Sequence, residues 1–508
     1  MISRPRPHIT ATLVALALSA SSAGSQSLGT SSSTALGATT SAATTAPLLI
    51  TTDEYAARRD SVTVSLGGGV LLVKGSPEPA VDYLSFYQNP SFEYLTGIRE
   101  PGAALVMVRR AGAVKSFLFV EPRDPSREVW SGFRLGTDGA EKRSGIRSRV
   151  MRELPALLDS LVGTNDTLWV AGAASDDRTV ATVGAGRPSL VVLRADRAIR
   201  AARAFKSEAE IALIRQAIDI TVLAQQQAMR LIEPGLNEFE VQALIEYTFR
   251  RNGADRPAFA SIVGSGPNAT TLHYNVNDRF MRSGDMVVMD IGASYRGYAA
   301  DVTRSVPVNG SFTPEQRSVY TIVREAQKSA ERQAKVGTSW RTVSDSAHAV
   351  IAEGLASLGL IESADAQFAC APDRKCSQVG LFYMHGLGHG IGLDVHDPDR
   401  HEITGALAVG SIFTIEPGIY VRANLLDIIP DDPANAALRE LLRKSLPRYA
   451  NIGVRIEDDY LVTANGLEWL SRGAPREIDE IEALMREPYT GPAARDGSLV
   501  ERYGSGGR

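Results

Sequence analysis

The sequence is poor in several features that would define a protein class at once. Its 508 residues contain 2 cysteines, which excludes a disulfide-rich scaffold and a cysteine-based zinc finger. Acidic and basic residues nearly balance, at 58 and 54, so neither a strongly basic nucleic-acid-binding protein nor an acidic tail protein is expected. The first half has no phosphate-loop or dinucleotide-binding glycine pattern. Only 7 histidines are present, few enough to be considered individually.

The N-terminus has the composition of a secretory signal peptide. Arg4 and Arg6 precede an uncharged apolar run from Ile9 to Ala20, and small residues follow it. The run is too short to span a bilayer, which takes about 20 residues, so no membrane span is expected. Residues 1–23 are therefore predicted to direct export to a periplasmic or extracellular space. The alternative is a frayed N-terminal extension.

Two further segments are predicted to lie outside the folded part. Of the 20 residues from Ser27 to Ala46, 18 are Ser, Thr, Ala or Gly, too little apolar surface to offset the entropy of ordering. Residues 24–47 are accordingly predicted to be a disordered spacer. Residues 475–508 are predicted to be a mostly flexible extension with one short amphipathic segment, Ile478 to Met485.

The two cysteines lie close together in the segment CAPDRKC. In an oxidising compartment Cys370 and Cys376 can close a small loop, and a disulfide is favoured over two free thiols. A zinc site is disfavoured because no histidine lies nearby to complete the ligand set.

The remaining chain divides into two halves. Residues 48–203 alternate strand-like runs with helix-like segments such as 53–66 and 149–161, which predicts an α/β domain around a central sheet. Residues 204–474 open with Ser207 and Glu210, the spacing of a capping box, ahead of a long amphipathic helix. Paired strands and further helices follow, so this half is predicted to be α+β.

Four acidic residues stand at apolar strand-like runs in the second half. Asp290 and Asp301 are separated by a turn-like stretch, which predicts a hairpin with one carboxylate on each strand. Glu416 and Glu457 each follow another apolar run. Buried like charges are costly unless a cation or a proton compensates them, and hard divalent ions prefer carboxylate oxygens. A pair of divalent cations is the simplest explanation. The alternative for the aspartates is that each is an unrelated polar residue at the point where a strand leaves the sheet.

Four of the histidines complete this set: His273, His385, His389 and His396. The last three lie in HGLGHGIGLDVHD, where alternating glycines make a helix improbable and predict a close-packed pocket wall. One imidazole is expected to bind metal, and the others to form hydrogen bonds or transfer protons. The alternative for each is a hydrogen-bonded core histidine.

Together these motifs, with IEPGIY and GVRIEDD in the same order, resemble the pita-bread metallopeptidases over about residues 206–472. The resemblance implies a pita-bread catalytic domain that binds two divalent ions, most simply Mn with Co or Zn as alternatives. It implies five metal ligands: Asp290, Asp301, His389, Glu416 and Glu457.

The proline-specific branch of this group gives a narrower resemblance. It implies that His273, His385 and His396 surround the substrate and that Arg455 orders the site. It also implies metal-assisted hydrolysis, with Glu416 acting as general base while ligating a metal, and with His385 or His396 donating to the oxyanion or to the proline carbonyl. The alternative interpretation of Arg455 is an exposed charged residue at the end of a strand, with no role in the site.

The first half resembles the N-terminal domain of aminopeptidase P in its phrases QNPSFEYLTGIREPGAALV and FVEPRDPSREVWSGFRLG. The resemblance predicts an enzyme that removes the residue before a proline in second position from peptides, assembled as a homodimer or homotetramer. The predicted signal peptide adds that this enzyme is exported. A dipeptidase of prolidase type and a catalytically dead pita-bread binding module are the alternatives. The stretch 422–450 is longer than usual and is a candidate to reshape the pocket rim.

Overall fold

The computed structural model describes residues 49–81, 84–173 and 178–491. The predicted signal peptide and spacer lie outside these ranges, and so do residues 492–508 of the predicted C-terminal extension. Within the described ranges, no helix is both long enough and apolar enough to cross a bilayer.

The first half of the chain folds as one mixed sheet of six strands. Its strands are β1 (Gly69–Lys74), β2 (Ala104–Arg110), β3 (Ala113–Val120), β4 (Ser148–Val150), β5 (Thr167–Gly172) and β6 (Val191–Arg194). They lie side by side in the order β4-β3-β2-β1-β5-β6. Its helices are α1 (Thr52–Ser65), α2 (Pro90–Thr96), α3 (Pro125–Ser131), α4 (Gly136–Ser144), α5 (Leu154–Leu161), α6 (Arg178–Ala185) and α7 (Asp196–Arg203).

Both faces of this sheet are covered. Side chains of a strand alternate between the two faces, and Leu71 and Val73 of β1 pack with α1 and α2, whereas Val70 and Leu72 pack with α5 and α6. This explains why the strand sequences are continuous apolar runs, and it confirms the predicted α/β organisation.

The second half combines helices with several small antiparallel sheets. Its helices are α8 (Glu208–Leu231), α9 (Glu238–Arg251), α10 (Pro314–Gln333), α11 (Trp340–Ser357), α12 (Arg400–Thr404), α13 (Leu425–Ile428), α14 (Ala436–Tyr449) and α15 (Ile478–Met485). Its strands are β7 (Arg256–Pro257), β8 (Ile262–Ser265), β9 (Met286–Ile291), β10 (Ala293–Tyr295), β11 (Tyr298–Ala299), β12 (Val302–Pro307), β13 (Gln367–Ala371), β14 (Arg374–Ser377), β15 (Ile412–Ile415), β16 (Gly418–Tyr420), β17 (Gly453–Arg455), β18 (Asp458–Thr463) and β19 (Gly466–Trp469).

These strands pair as β12-β9-β8, β11-β10-β7, β15-β18-β19, β16-β17 and β13-β14. The α+β expectation is thereby confirmed. Helix α8 begins with the predicted capping box of Ser207 and Glu210. Its buried Gln225 donates hydrogen bonds to the carbonyls of Met289 and Val302, which fixes β9 and β12 against the helix. A boundary between residues 203 and 204 stays a prediction, since both halves share one hydrophobic core.

Two predicted elements differ from the structure. Residues 149–161 are not one helix, because Arg149 and Val150 pair in parallel with β3 and the helix starts only at Leu154. The turn between Asp290 and Asp301 is tighter than predicted, because β10 and β11 form a small hairpin around Arg296 and Gly297, both with positive φ.

The two cysteines are joined across the β13–β14 hairpin, so the favoured Cys370–Cys376 disulfide is confirmed. Asn435, from the long stretch 422–450, bonds to both backbone groups of Ala369 in this hairpin. In the described ranges no residue of 422–450 lines the cavity presented below, so the candidate role at the pocket rim finds no support there.

Candidate metal centre

Interruptions between short strands place three of the four acidic residues. Asp301 lies in the gap between β11 and β12, Glu416 in the gap between β15 and β16, and Glu457 in the gap between β17 and β18. Asp290 lies within β9, opposite Thr303 of β12, so the predicted hairpin brings the two aspartates together. Where a strand is interrupted its side chains are free to turn toward a common centre.

All nine residues singled out by the sequence line one cavity of about 550 Å³. They are His273, Asp290, Asp301, His385, His389, His396, Glu416, Arg455 and Glu457. The rest of the wall is mainly apolar and includes Phe259, Ala260, Ile262, Leu272 and Val395. Polar and apolar groups therefore converge as expected for a small-molecule or peptide site.

The ring of His389 is oriented as in a metal ligand. Its Nδ1 lies 3.1 Å from the carbonyl oxygen of Gly390, so Nδ1 carries the hydrogen and donates it. Its Nε2 then presents a lone pair to three carboxylates: Asp301 Oδ2 at 3.5 Å, Glu416 Oε1 at 3.5 Å and Glu457 Oε1 at 4.0 Å. A lone pair facing carboxylate oxygens is repulsive unless a cation lies between them.

Three carboxylate oxygens of the site are buried without a hydrogen-bond donor among the described residues: Asp290 Oδ1, Asp301 Oδ1 and Glu457 Oε1. Ligand atoms of Asp301, His389 and Glu457 all lie within 4.8 Å of one another. Buried carboxylates without donors carry a full desolvation penalty, which bound cations remove. The donor set, rich in oxygen with one imidazole, fits divalent metal ions.

The pKa values of these groups reflect the same unfavourable burial of neighbouring charges. Burial raises the pKa of Glu416 to about 8. Burial, and next the neighbouring carboxylates, raise the pKa of Asp301 and of Glu457 well above the usual range. Burial lowers the pKa of His389 to about 4, so this imidazole is neutral and can act as a ligand at neutral pH.

The outer oxygens of the carboxylates are held by fixed donors. Arg455 forms a buried ion pair with Asp290 Oδ2, and the Thr303 hydroxyl donates to Glu457 Oε2 at 2.7 Å. The backbone of Asp301 is held as well, since its N–H donates to Asp459 Oδ2 at 3.3 Å. These donors leave Asp290 Oδ1 and Glu457 Oε1 without a partner among the described residues.

A chain of hydrogen bonds runs behind the cavity. Nε of Arg455 donates to the Tyr420 hydroxyl at 2.7 Å, and that hydroxyl lies 2.8 Å from Nε2 of His385. Nδ1 of His385 lies 2.8 Å from the carbonyl of Gly386, so this ring donates from Nδ1 and accepts from Tyr420. Burial, and next the charge of Arg455, lower the pKa of His385 to about 3. Tyr420 was not singled out from the sequence, although it is the last residue of the IEPGIY motif.

The glycines of HGLGHGIGLDVHD allow very close packing, as predicted. A Cβ on Gly388 would lie 2.1 Å from the carbonyl oxygen of Thr414, and a Cβ on Gly390 would lie 2.3 Å from that of Asp397. The segment forms no helix; Gly390 instead pairs with Phe413 of β15. This pairing sets His389 next to Glu416.

His396 and His273 line the cavity differently from His389. The ring of His396 lies 4.1 Å, centroid to centroid, from the ring of His389. Neither His396 nor His273 forms a side-chain hydrogen bond within the described ranges. Both residues line the cavity, and no partner within the described ranges occupies their ring nitrogens, so these remain available to a ligand.

Known proteins match both halves of the chain. The family model described as Metallopeptidase family M24 matches residues 212–464, and that of the aminopeptidase P N-terminal domain matches residues 55–169. The chain is 35% identical to an Xaa-Pro aminopeptidase of Escherichia coli over 86% of this chain and 98% of that protein. It is 32% identical to Xaa-Pro aminopeptidase 3 of Homo sapiens over 79% of this chain and 77% of that protein.

Solved structures of aminopeptidases show the same similarity. Aminopeptidase PepP of Pseudomonas aeruginosa aligns with a TM-score of 0.73 at 33% identity, covering 86% of this chain and 98% of that one. Escherichia coli aminopeptidase P, solved with the inhibitor Pro-Leu, aligns with a TM-score of 0.73 at 32% identity over 86% of this chain and 98% of that one. These alignments confirm the predicted combination of an α/β N-terminal domain with an α+β pita-bread domain.

Proposed function

The chain belongs to metallopeptidase family M24, and from this membership we propose that it is an Xaa-Pro aminopeptidase. It removes the N-terminal residue from peptides that carry proline in second position. The observation that carries the proposal is the convergence of five ligand-type residues, three further histidines and Arg455 on one cavity. The Xaa-Pro aminopeptidases among its relatives support the substrate class.

We propose that two divalent ions are held by Asp290, Asp301, His389, Glu416 and Glu457. Manganese is the first choice, with cobalt or zinc as alternatives, because four carboxylates and one imidazole suit each of these ions. When bound, such ions activate water near neutral pH and polarise a carbonyl group.

Glu416 is the proposed proton carrier. Its Oε1 lies 3.5 Å from Nε2 of His389, within the carboxylate cluster of the cavity. As general base it would take a proton from water and return it to the leaving proline nitrogen. Its backbone N–H donates to the carbonyl of Leu387 at 2.8 Å, which fixes it beside the histidine segment.

His396 is better placed than His385 to donate to the substrate. Both ring nitrogens of His385 are engaged, one by Tyr420 and the other by the carbonyl of Gly386. His396 keeps its ring nitrogens for the oxyanion or the proline carbonyl. A donor of this kind contributes roughly 3 kcal/mol to transition-state stabilisation. His385 and Arg455 instead order the wall behind it.

The apolar wall suits the proline ring. An acylated proline nitrogen carries no hydrogen, and its ring is rigid, so recognition must come from shape and apolar contact. Phe259, Ile262, Leu272 and Val395 supply such a surface in the same cavity as the carboxylates.

The proposal is tested by comparing peptide lengths. Protein stripped of metal is reloaded with Mn²⁺, Co²⁺ or Zn²⁺ and assayed on Ala-Pro-Ala, Ala-Pro and Ala-Ala-Ala. We expect release of alanine from Ala-Pro-Ala and none from Ala-Ala-Ala. Cleavage of Ala-Pro without cleavage of the tripeptide would assign a prolidase-type dipeptidase. Protein that binds no divalent metal by elemental analysis would assign a binding module instead.

We also propose that the enzyme is exported and that residues 1–23 are removed. The Cys370–Cys376 disulfide supports an oxidising compartment. Cell fractionation with N-terminal sequencing of the mature protein tests this. Assembly as a homodimer or homotetramer is a further proposal, and light scattering on the eluting protein tests it.

A further inference from the structure

A second pocket of about 300 Å³ opens beside the main cavity. Val395 and His396 line both pockets and form the wall that they share. Small residues make the side pocket roomy: Ala258, Ser294, Gly297 and Ala299. It therefore adjoins the main cavity at His396.

The side pocket presents one unpaired positive charge, the guanidinium of Arg256. This side chain is half-buried, and its Cζ lies 4.3 Å from the ring centroid of Tyr87. Its Nη1 donates to the carbonyls of Pro257 and Ala258, each at 3.1 Å. No carboxylate of the described ranges lies within ion-pair distance of Arg256. The contact with the Tyr87 ring and the two hydrogen bonds to carbonyls thus hold the guanidinium in place. Its other N–H groups remain available to a ligand.

The acidic residue that lines the same pocket is already neutralised. Asp394 accepts from Nη2 of the buried Arg203 at 2.6 Å. The pocket is consequently positive in sign and fits an anionic group rather than a cation.

The distances suit a short peptide. Arg256 pairs with Ser294 across the β7–β10 ladder, and it lies three positions before Phe259 on the wall of the main cavity. Their Cα atoms are therefore at most about 11 Å apart. An extended peptide advances about 3.3–3.6 Å per residue, so a chain whose proline lies in the main cavity can bring its third or fourth residue to Arg256.

We propose that the side pocket binds a carboxylate of the departing part of the substrate, above all the C-terminal carboxylate of peptides of three to four residues. Arg256 is the recognition group, since a pre-oriented guanidinium forms charge-assisted, bidentate hydrogen bonds with carboxylates. The inference rests on the proposed Xaa-Pro aminopeptidase activity and adds a preference for short peptides with a free C-terminus.

Paired substrates test this inference. KM is measured for Ala-Pro-Ala-Ala as free acid and as C-terminal amide, and for Ala-Pro-Glu-Ala amide, which offers its carboxylate on a side chain. We expect KM of the free acid to be about tenfold below that of its amide, a ratio worth about 1.4 kcal/mol. Arg256→Ala should abolish this ratio, and Arg256→Lys should restore part of it. Arg341→Ala, which removes a 90% exposed charge on α11, should keep the full ratio.

The amide is the internal control. Equal kcat/KM of wild type and Arg256→Ala on the amide shows that the variant is folded and active. A low KM of the Glu-containing amide that also depends on Arg256 supports the same site with a side-chain carboxylate as ligand. Equal KM for all three peptides in the wild type, or an unchanged ratio in Arg256→Ala, would overturn the inference while the aminopeptidase activity stands. If no Xaa-Pro peptide is cleaved, the proposed function itself is wrong.

Discussion

The crowded carboxylates predict that the metal-free protein loses stability as pH rises above neutrality. Burial raises the pKa of Glu416 from an ordinary 4.5 to about 8, so between these values the folded state holds a proton that the unfolded state lacks. The free energy of unfolding therefore falls with rising pH in this window. Burial also raises the pKa of Asp301 and of Glu457, which adds to the loss.

The size of the Glu416 contribution follows from its titration. From about pH 7 to about pH 8.5 this single group removes about 1.3 kcal/mol, roughly an eightfold change in the unfolding equilibrium. Burial lowers the pKa values of His385 and His389 to about 3 and about 4, below the ordinary 6.5. These two histidines act in the opposite sense, but by only about 0.3 kcal/mol together, because unfolded histidine is mostly neutral above pH 7.

The assay is urea unfolding of chelator-treated protein, followed by tryptophan fluorescence at the two pH values. Glu416→Gln is the matched control: it keeps the shape of the side chain and removes its titration, so its loss between the two pH values should be smaller by about 1.3 kcal/mol. With Mn²⁺ present the carboxylates bind as anions, so the wild-type loss should disappear. Equal losses in wild type and Glu416→Gln without metal would refute the assignment of the proton to Glu416.

Three further predictions concern single residues. Asp301→Ala should abolish metal-dependent activity and lower the metal content measured by elemental analysis, while the circular dichroism spectrum of the fold persists; near-normal turnover would contradict the site. His396→Ala should lower kcat roughly 100-fold at unchanged metal content, whereas a parallel loss of metal would make it a ligand. Gly390→Ala places a Cβ 2.3 Å from the Asp397 carbonyl, and so should destabilise the protein by about 1–3 kcal/mol and weaken metal binding at the adjacent His389, as measured by thermal melting and metal titration.

The residues that line the main cavity could be predicted from the sequence because each stands in a short motif with a local physical signature. Asp290 is a charged residue within an otherwise apolar strand sequence, and the glycines around His389 exclude a helix. Both signals come from neighbouring residues in the chain, and the structure brings these residues to one cavity. The α/β and α+β halves could also be predicted, since apolar periodicity reports local structure directly.

Other features depend on contacts between distant parts of the chain. Residues 149–161 carry an apolar pattern that suits a helix, yet the edge of the sheet takes Arg149 and Val150 into a parallel pair with β3. The link from Arg455 through Tyr420 to His385 joins three segments, and no spacing in the sequence announces it.

The sequence by itself determined the ligand types, the family resemblance and the class of each half, because these depend on residue identity and local periodicity. Only the tertiary structure decided which oxygens lack a donor, which histidines have ring nitrogens without a partner and where Arg256 lies beside the main cavity. Burial, and the partners that each polar atom finds there, arise from packing of segments far apart in the chain. The burial of a titratable group and the partners of its polar atoms set its pKa, and together these groups set the charge of a pocket.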